Sequence, residues 1–280
     1  MNKQLLFFII LFSISINSYA SSMKNTIIFA PLPIDKKSNT YEEFAPLFHY
    51  IEKTSGLKIK FLYEEKYSTI IEKFTHNKID IILVGTLPYI KLNQTYKFNE
   101  PIISFKQKNG EAYYRCVVAK FGKDIINFEN TLKIALTQPL STCGYYMTNT
   151  LLKKNYKIDI EKQKYHYTMS HHNALTSVLD GDFQLAGVKS DVADDFKTLG
   201  IRTIVKSNLV PGLTLVVNTK TLSKKQIEIL KNLILSIPKS TYKKWDGISK
   251  NGFIKADKKL YENMKIDFKT IPTHGNIDEK

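Results

Sequence analysis

Strand-type and helix-type hydrophobic patterns alternate along this chain, and this alternation is the feature that most restricts its fold. Residues 26–30 form a short apolar run typical of a strand, and residues 57–61 alternate between apolar and polar side chains. Between them, the sequence Thr-Tyr-Glu-Glu from Thr40 fits a capping box that opens a helix with Phe44, Leu47, Phe48 and Ile51 on one face. Thr69 starts a similar pattern before a second helix, and the apolar run at 79–84 is typical of a buried strand. This order predicts an α/β protein.

A second group of strand and helix patterns begins near residue 113. The strand patterns cover residues 113–120, 132–137, 185–188, 201–206 and 213–218, and the helical patterns cover residues 142–154 and 171–180. From Leu222 onward the pattern is mostly helical, with Ile227, Leu230, Leu233 and Ile234 in one apolar stripe. We therefore expect two lobes, one of residues 21–112 with 214–280 and one of residues 113–213, joined by extended segments. Each lobe should contain a mixed sheet flanked by helices.

The first twenty residues have the organisation of a secretory signal peptide. Lys3 supplies a positive charge, residues 5–16 are mostly apolar, and Ser18 and Ala20 are small residues suited to a cleavage site. The apolar run is shorter than the roughly 20 residues of a membrane-spanning helix, although a retained N-terminal anchor remains the alternative. No cysteine lies near Ala20, so a lipid-modified N-terminus is not expected. We predict cleavage after Ala20 and a periplasmic location.

The chain has a formal net charge of +15, from 41 Lys and Arg against 26 Asp and Glu. The lysines are spread along the sequence and often stand beside acids, as in Glu64-Glu65-Lys66. Arg115 and Arg202 are the only arginines, so the sequence has no arginine-rich run of the kind that contacts a phosphate backbone. Together with export, this distribution argues against nucleic acid as a partner and favours a solvated, lysine-rich surface.

The segment from Ser141 to Gly144 connects a predicted strand to a predicted helix through a Pro-containing turn. A helix start offers unpaired backbone N–H groups and a partial positive charge. The hydroxyls of Ser141 and Thr142 add donors, and Gly144 would allow the backbone to approach a ligand closely. Together with His171 at the next predicted helix start, this pattern indicates a site for a small anion. An ordinary N-cap with a capping histidine is the other interpretation.

Histidines and cysteines could also indicate a metal site or a disulfide. No pair among His166, His171 and His172 has the i, i+4 spacing with a nearby carboxylate that a helical metal site requires. We therefore expect neither a metal nor another cofactor. Cys116 and Cys143 belong to a chain expected in an oxidising compartment, and the sequence leaves open whether they pair.

Several short stretches follow one another in an order and spacing that extend over almost the whole chain after residue 20. They are Ala30-Pro-Leu-Pro, Thr54-Ser-Gly-Leu, Lys66-Tyr67-Ser-Thr-Ile-Ile, Lys78-Ile-Asp-Ile-Ile-Leu-Val-Gly85, Tyr113-Tyr-Arg-Cys-Val-Val, Ser141-Thr-Cys-Gly-Tyr, Ser170-His171 and Val178-Leu-Asp-Gly-Asp. In this order they resemble the phosphonate-type substrate-binding proteins of ABC transporters, a family that includes phosphate and phosphite binders. The resemblance implies a two-lobed class II periplasmic binding protein fold that closes about a hinge on its ligand.

The resemblance also implies which positions contact the anion. Ser141 and Thr142 match a hydroxyl pair at a helix start, His171 a histidine at the next helix start, Tyr67 a tyrosine of the first lobe, and Tyr113 a tyrosine at the first crossover. Cys143 stands where the family usually has a second serine. A weak thiol donor would therefore replace a hydroxyl there.

Three further positions bear on the charge of the ligand. Asp191 falls where aminophosphonate binders have an acid, whereas Leu213 stands where a second acid is expected. Because a leucine cannot hold an ammonium group, 2-aminoethylphosphonate is a poorer candidate than phosphate or phosphite. Arg115 lies two residues beyond Tyr113 on the same strand face. From there it either reaches the anion as a bidentate donor or lies on the lobe surface.

The expected function is capture of a small oxyanion of the phosphate, phosphite or phosphonate class by a monomer that serves an ABC transporter permease. Presentation of the closed form to the periplasmic domain of a sensor kinase is an alternative that the sequence does not separate. A hydrolase with Cys143 or Ser141 as nucleophile and His171 as base is disfavoured. The chain has no Gly-x-Ser-x-Gly elbow and no evident acid to orient the histidine. We therefore expect a binding protein and not an enzyme.

Overall fold

Two mixed β-sheets, each covered by helices, form the two lobes of the molecule, which we describe from a computed structural model. It describes residues 24–33, 37–262 and 266–277, so the predicted signal peptide lies outside the described residues. The strands are β1 (Thr26–Pro31), β2 (Lys58–Phe61), β3 (Ile81–Val84), β4 (Asn99–Phe105), β5 (Tyr113–Tyr114), β6 (Cys116–Phe121), β7 (Lys133–Leu136), β8 (Lys164–Tyr167), β9 (Leu185–Lys189), β10 (Ile201–Lys206), β11 (Val210–Pro211), β12 (Thr214–Asn218) and β13 (Phe253–Lys255). The helices are α1 (Lys37–Ser55), α2 (Tyr67–Thr75), α3 (Thr86–Thr95), α4 (Met147–Tyr156), α5 (His171–Leu179), α6 (Ser190–Asp195), α7 (Lys224–Leu235), α8 (Lys239–Tyr242) and α9 (Lys259–Glu262). Within the described ranges, no helix combines the length and the apolar character that crossing a membrane requires.

The first lobe is organised by a sheet with the strand order β13-β4-β12-β3-β1-β2. Strand β1 pairs in parallel with β2 and β3, whereas β12 enters antiparallel between β3 and β4. All four residues of β3 are buried because hydrophobic clusters lie on both faces of the sheet, as its unbroken apolar run predicts. The chain therefore completes this lobe with β12, after it has built the second lobe.

The second lobe is organised by a sheet with the order β10-β6-β9-β7-β8. Strand β6 is antiparallel to β9 and β10, and β7 is parallel to β8 and β9. Helix α4 contributes to the hydrophobic cluster on one face and α5 to the cluster on the other. The alternation seen in the sequence thus gives an α/β protein with two lobes, and the predicted fold class is confirmed.

Two short strands at the crossovers form the hinge between the lobes. Strands β5 and β11 pair antiparallel, with Tyr114 opposite Val210 and Tyr113 opposite Pro211. The long strand predicted at 113–120 is interrupted at Arg115, which separates β5 from β6. Because each crossover pairs with the other, the hinge is a small two-stranded sheet.

Several predicted helix starts differ from the observed ones. Helix α1 begins at Lys37, and Thr40 is buried inside it, so the capping-box pattern is wrong as a start signal. Helix α2 begins at Tyr67 rather than at Thr69, and Lys66 at its N-cap makes no side-chain capping bond. The predicted apolar face of α1, which includes Phe44 and Leu47, is buried and confirmed.

The C-terminal part of the chain divides between the lobes. Helix α7 packs Ile227, Leu230 and Ile234 into the core of the first lobe, as the predicted stripe requires. We expected the whole chain after residue 214 to belong to the first lobe, but residues 266–277 also contact the second lobe. Ile271 of this segment lies in a core cluster of the second lobe, because the segment crosses to the exposed edge of β8.

Candidate functional site

A cavity of about 100 Å³ lies between the lobes, next to the hinge, and we call it the interlobe cavity. It is lined by Leu32, Tyr67, Gly85, Pro88, Tyr114 and Leu213 from the first lobe and the crossovers, and by Ser141, Thr142, Cys143, His171, Lys189 and Val192 from the second lobe. The polar side chains of this lining are hydroxyls, phenols, an imidazole and an ammonium group. No carboxylate is among the described lining residues.

A wide helical turn, Thr142–Tyr146, begins at the interlobe cavity. The N–H of Met147 reaches the carbonyl of Thr142 five residues earlier, which widens this turn relative to an α-helix. Such local widening is frequent at functional sites. Ser141 precedes the turn in an extended conformation and is buried, yet its hydroxyl makes no capping bond. Because the hydroxyl does not cap the helix, it is available to a ligand in the cavity.

Close packing and a disulfide fix the position of this turn. A methyl group on Gly144 would lie 2.8 Å from Thr137 Oγ1 and 2.9 Å from Gln138 O, so glycine is required here. Gly144 thus lets the turn pack on the preceding segment, whereas the sequence suggested close approach to a ligand. Cys143 forms a disulfide with Cys116. Because the bond restricts the unfolded chain, it stabilises the fold by roughly 3–4 kcal/mol in the chain-entropy view. Cys143 therefore has no thiol with which to donate, which corrects the expectation of a weak thiol donor.

Thr142 connects the two lobes and also lines the interlobe cavity. Its Oγ1 accepts a hydrogen bond from the N–H of Leu87, 3.0 Å away, in the first turn of α3. That amide is one of the donors that a helix start leaves unpaired, so a second-lobe side chain caps a first-lobe helix. Thr142 also lies near the Tyr114 phenol, whose pKa it lowers. Thr142 therefore couples the geometry of the cavity to contact between the lobes.

His171 is the first residue of α5 and lines the cavity as a neutral imidazole. Ser170, not His171, caps this helix by accepting a hydrogen bond from the N–H of Asn173 at 3.0 Å. The Nδ1 of His171 accepts the N–H of Lys189 at 3.2 Å. Burial, and after it the nearby Lys189 ammonium, lower the pKa of His171 to about 4. The ring is therefore neutral near pH 7 with its proton on Nε2, from which it can donate.

Tyr67 and Tyr114 contribute phenol groups from the first lobe and the hinge. Tyr67 begins α2, and burial raises its pKa. Burial also raises the pKa of Tyr114 to about 12, although the nearby hydroxyl side chains of Thr142 and Thr86 oppose the change. Both phenols keep their protons and can donate hydrogen bonds. The crossover tyrosine that lines the cavity is therefore Tyr114 and not Tyr113.

Tyr113, Arg115 and Asp191 lie beside a different cavity of about 320 Å³, which we call the hinge-side cavity. It is lined by Gln107, Lys108, Asn109, Tyr113, Tyr114, Arg115, Ser190, Asp191, Asp194, Asp195 and Leu209. Tyr114 lines both cavities, whereas Tyr113 and Arg115 line the hinge-side cavity and not the interlobe cavity. The side chains of Tyr113 and Tyr114 differ because successive strand residues face opposite sides. Arg115 Nη1 instead donates to the carbonyl of Ser207 at 2.5 Å. The structure thus differs from the expectation that these three residues line the ligand cavity.

Lys189 lines the interlobe cavity, and the sequence reasoning missed it. Its Nζ lies 2.7 Å from Gln107 Oε1, 2.8 Å from Asp191 Oδ2, and 5.4 Å from the centre of the Tyr114 ring. Asp191 therefore pairs with this ammonium group at the cavity edge. Lys189 ends β9 just before α6, and ligands of open α/β sheets bind at such strand ends. That position is the signal that would have identified it.

Gln138 joins the lobes beside the cavity and was also missed. Its Oε1 accepts the N–H of Tyr67 at 3.2 Å, and its Nε2 donates to the carbonyls of Glu65 at 3.1 Å and Met169 at 3.3 Å. Because the side chain is buried, each of these polar atoms needs such a partner. Gln138 and Thr142 thus connect the two lobes beside the cavity. Nothing in the sequence distinguished Gln138 from other polar turn residues.

The chemistry of the interlobe cavity is that of a small anion site. Its hydroxyls, phenols and neutral imidazole all have protons to donate, and a buried anion needs such donors to replace water. In the described part of the chain, no group of three or more His, Cys, Asp or Glu side chains could hold a metal ion.

Two α/β lobes with a donor-lined cavity between them have the architecture of a solute-binding protein. The model of one protein family, described as ABC transporter, phosphonate, periplasmic substrate-binding protein, matches residues 29–261. The chain therefore belongs to this family of periplasmic substrate-binding proteins. The family resemblance seen in the sequence is confirmed, and membership implies a small-molecule ligand and a membrane permease as partners.

Individual relatives are distant in sequence and close in fold. The phosphate-import protein PhnD of Mycolicibacterium smegmatis is 22% identical over 218 residues, which are 71% of this chain and 68% of the relative. The structure of PhnD1 from Prochlorococcus marinus in complex with methylphosphonate has a TM-score of 0.73 at 16% identity and covers 86% of this chain and 96% of that chain. A binding protein component of an ABC phosphonate transporter from Pseudomonas aeruginosa has a TM-score of 0.70 at 18% identity and covers 85% and 83%. These structural likenesses show the two-lobed fold.

Proposed function

We propose that this protein captures a phosphorus oxyanion without a cationic group, namely phosphate, phosphite or methylphosphonate, for delivery to an ABC importer. The observation that carries this proposal is the lining of the interlobe cavity. Within about 100 Å³ it offers hydroxyl, phenol and imidazole donors, and its described lining contains no carboxylate. The names of the relatives that import phosphate or bind methylphosphonate agree with this ligand class.

In this proposal, five side chains donate to the oxyanion: Ser141, Thr142 and His171 from the second lobe, and Tyr67 and Tyr114 from the other side of the cavity. A hydrogen bond to a charged group contributes about 1.5–3 kcal/mol net. A micromolar dissociation constant corresponds to about 8 kcal/mol. All five donors together contribute roughly 7.5–15 kcal/mol. The upper part of that range covers micromolar affinity and an entropic cost of association of about 4 kcal/mol, so most of the donors must act at once.

An apolar part of the same lining limits the substituent on phosphorus. Leu32, Val192 and Leu213 face the cavity together with Cys143, which is bonded to Cys116. A hydrogen atom or a methyl group can lie against this surface, whereas an ammonium group would lose its water without gaining a partner. Asp191, the acid expected near an ammonium group, is held by Lys189. These features disfavour 2-aminoethylphosphonate.

We also propose that the protein binds its ligand without converting it. Hydrolysis by Cys143 would require a thiolate, and the disulfide with Cys116 removes it. His171 Nδ1 accepts a backbone N–H rather than donating to a carboxylate, so it lacks the orienting acid of a catalytic base. Both observations support binding over nucleophilic catalysis.

Export and oligomeric state complete the proposal. We propose that a signal peptide is removed after Ala20 and that the exported chain acts as a monomer in the periplasm. The charged start, apolar run and small residues of the first twenty positions support the cleavage. Intact mass and light scattering of the exported protein check both statements; a retained N-terminus or a stable dimer would contradict them.

A calorimetric panel tests the ligand class directly. It contains phosphate, phosphite, methylphosphonate, sulfate and 2-aminoethylphosphonate. We expect at least one of the first three to bind with a dissociation constant of roughly a micromolar or below. We expect 2-aminoethylphosphonate to bind at least about tenfold more weakly, because its ammonium group is left unpaired. Absence of binding across the panel, or a preference for 2-aminoethylphosphonate, would overturn the proposal.

A substitution at Ser141 links the measured affinity to the cavity. Ser141→Ala removes a hydroxyl that makes no capping bond, so the fold should keep its thermal stability. The affinity should fall by about tenfold or more, the value of one charge-assisted hydrogen bond. Ser68→Ala, at an exposed position outside the interlobe cavity, is the matched control. Equal affinities of the two variants would place the ligand elsewhere.

A further inference from the structure

The C-terminal segment, residues 266–277, is attached to the open edge of the second-lobe sheet. Asn276 Oδ1 accepts the N–H of Tyr165 at 2.7 Å, and the N–H of Asn276 donates to the Tyr165 carbonyl at 3.0 Å. Asn276 Nδ2 also donates to the carbonyl of Gln163 at 2.6 Å, and the Tyr167 hydroxyl donates to the carbonyl of Pro272 at 2.8 Å. Strand β8 is the last strand of its sheet, so this segment satisfies backbone groups that would otherwise be unpaired.

The same segment also contacts the first lobe. Ile266 and Phe268 pack against a core cluster of each lobe. Lys91 of α3 places its Nζ 5.7 Å from the centre of the Phe268 ring. Just before the segment, Tyr261 is buried in a first-lobe cluster, where its hydroxyl lies 2.9 Å from Thr214 Oγ1. The C-terminal segment is therefore a third connection between the lobes, besides the two crossovers.

This third connection lies away from the hinge. Residues 268–275 help to line a further cavity of about 360 Å³. Tyr67, which also lines the interlobe cavity, and Gln138, which bonds across the lobes, belong to the lining of this further cavity. The hinge-side cavity shares Tyr114 with the interlobe cavity instead. The interlobe cavity is thus bordered by the hinge at Tyr114 and by the region of the C-terminal segment at Tyr67.

We propose that Gly275 and Asn276 are determinants of ligand retention, because they attach this segment to β8 and so hold the lobes closed on the side away from the hinge. The inference rests on the proposed function, in which the ligand is enclosed between the lobes. When the lobes separate, Ile266 and Phe268 must leave one of the two cores, or the segment must leave β8. Contacts made only in the closed form stabilise that form and slow ligand release.

Gly275 offers a substitution that tests the attachment with a single methyl group. A Cβ at this position would lie 2.7 Å from the carbonyl oxygen of Tyr165 and 2.9 Å from the Cα of His166. Both atoms belong to the backbone of β8 and cannot move aside as a flexible side chain would. Gly275→Ala should therefore push the segment away from β8 while every residue of the interlobe cavity is kept.

The experiment compares Gly275→Ala and Asn276→Ala with Thr273→Ala, an exposed position of the same segment that serves as the control. The probe is phosphate, phosphite or methylphosphonate, whichever the unmodified protein binds most tightly. We expect the first two variants to release it about tenfold faster, as the loss of one or two hydrogen bonds predicts. Association rates should change less, and the control should match the unmodified protein. Amide exchange at Tyr165 should rise in the same two variants and report detachment.

Scattering without added anion tests the attachment separately from the ligand. The two variants should be more extended than the unmodified protein if the segment holds the lobes together. Increased exchange at Tyr165 with unchanged release and unchanged dimensions would overturn the inference and leave the proposed function intact. Absence of binding by the unmodified protein would instead overturn the proposed function, and the inference about retention with it. If Gly275→Ala does not fold, Asn276→Ala decides, because it removes two side-chain hydrogen bonds without introducing a clash.

Discussion

The interlobe cavity and the hinge-side cavity share Tyr114 but differ in the number of charged side chains that line them. The hinge-side cavity is lined by three aspartates with Lys108 and Arg115, and Lys108 pairs with Asp195 at 3.2 Å. The interlobe cavity has hydroxyl, phenol and neutral imidazole donors, and its one ammonium group is paired with Asp191. Fixed charges are thus compensated among themselves beside the hinge. The site that encloses the ligand uses neutral donors.

The difference suggests how a strongly basic chain avoids indiscriminate anion binding. A desolvated, unpaired cation would attract any anion. Neutral donors, in contrast, bind tightly only a ligand whose oxygen atoms accept a hydrogen bond from each of them. It also explains why Arg115 and Asp191, two of the three candidate ligand-binding residues that lie at the hinge-side cavity, are not used for the anion. Arginine and aspartate are the residue types that the hinge-side cavity holds in pairs or on backbone carbonyls.

The largest effect that this comparison predicts concerns the neutral state of His171. Its folded pKa of about 4 lies below the ordinary value of 6.5, so the unfolded chain binds a proton first as the pH falls. The free energy of unfolding is therefore unaffected by this group above pH 6.5, and it falls between pH 6.5 and pH 4 by up to about 3 kcal/mol. Denaturant unfolding at several pH values, in phosphate-free buffers, measures this slope.

His171→Gln should flatten that slope, because glutamine can accept the Lys189 N–H but does not titrate. The neighbouring His172→Gln is the matched control, since His172 is exposed outside the interlobe cavity. An unchanged slope in His171→Gln would mean that the cavity tolerates a charged imidazole. The contrast between the two cavities would then be lost.

A second, smaller effect is expected from Thr142→Val, which removes a hydroxyl from the interlobe cavity at nearly constant volume. The variant loses a donor to the ligand and also leaves the Leu87 N–H without its acceptor. We expect affinity for the preferred anion to fall roughly 30-fold, or about 2 kcal/mol. Thr142→Ser should retain most of the affinity, and Thr176→Val on the exposed side of α5 should retain all of it. If calorimetry found the affinity of Thr142→Val unchanged, the ligand would have to bind outside the interlobe cavity.

Much of the fold follows from local patterns in the sequence. The unbroken apolar runs became central strands, and the stripe of Ile227, Leu230 and Ile234 became the buried face of α7. Two predicted helix starts were wrong, because Thr40 and Thr69 fit capping patterns but lie inside helices that begin earlier. The crossing of residues 266–277 to β8 depends on pairing with a distant strand edge, which no local pattern records.

The candidate site divides in the same way. Ser141, Thr142 and His171 stand where helix starts were expected, and such starts can be read from turn and capping residues. The choice between Tyr113 and Tyr114 depends on which strand face meets the cleft, and a shift of one residue reverses it. The Cys116–Cys143 disulfide and the three bonds of Gln138 join segments far apart in sequence, so spacing alone could not predict them.

The smallest predicted effect tests the boundary between the two cavities at its shared strand. Tyr114→Phe removes the hydroxyl of a residue that lines the interlobe cavity near Thr142, whereas Tyr113→Phe removes the hydroxyl of a residue that lines the hinge-side cavity and not the interlobe cavity. We expect the first substitution to weaken binding of the preferred anion by about tenfold and the second to leave it within about twofold. Both variants keep the aromatic ring, so the packing of β5 against β11 is preserved and the comparison isolates the hydroxyl. If Tyr113→Phe weakened binding more than Tyr114→Phe, the ligand would contact the charged side of the hinge, and neutral donors would not be what selects the anion.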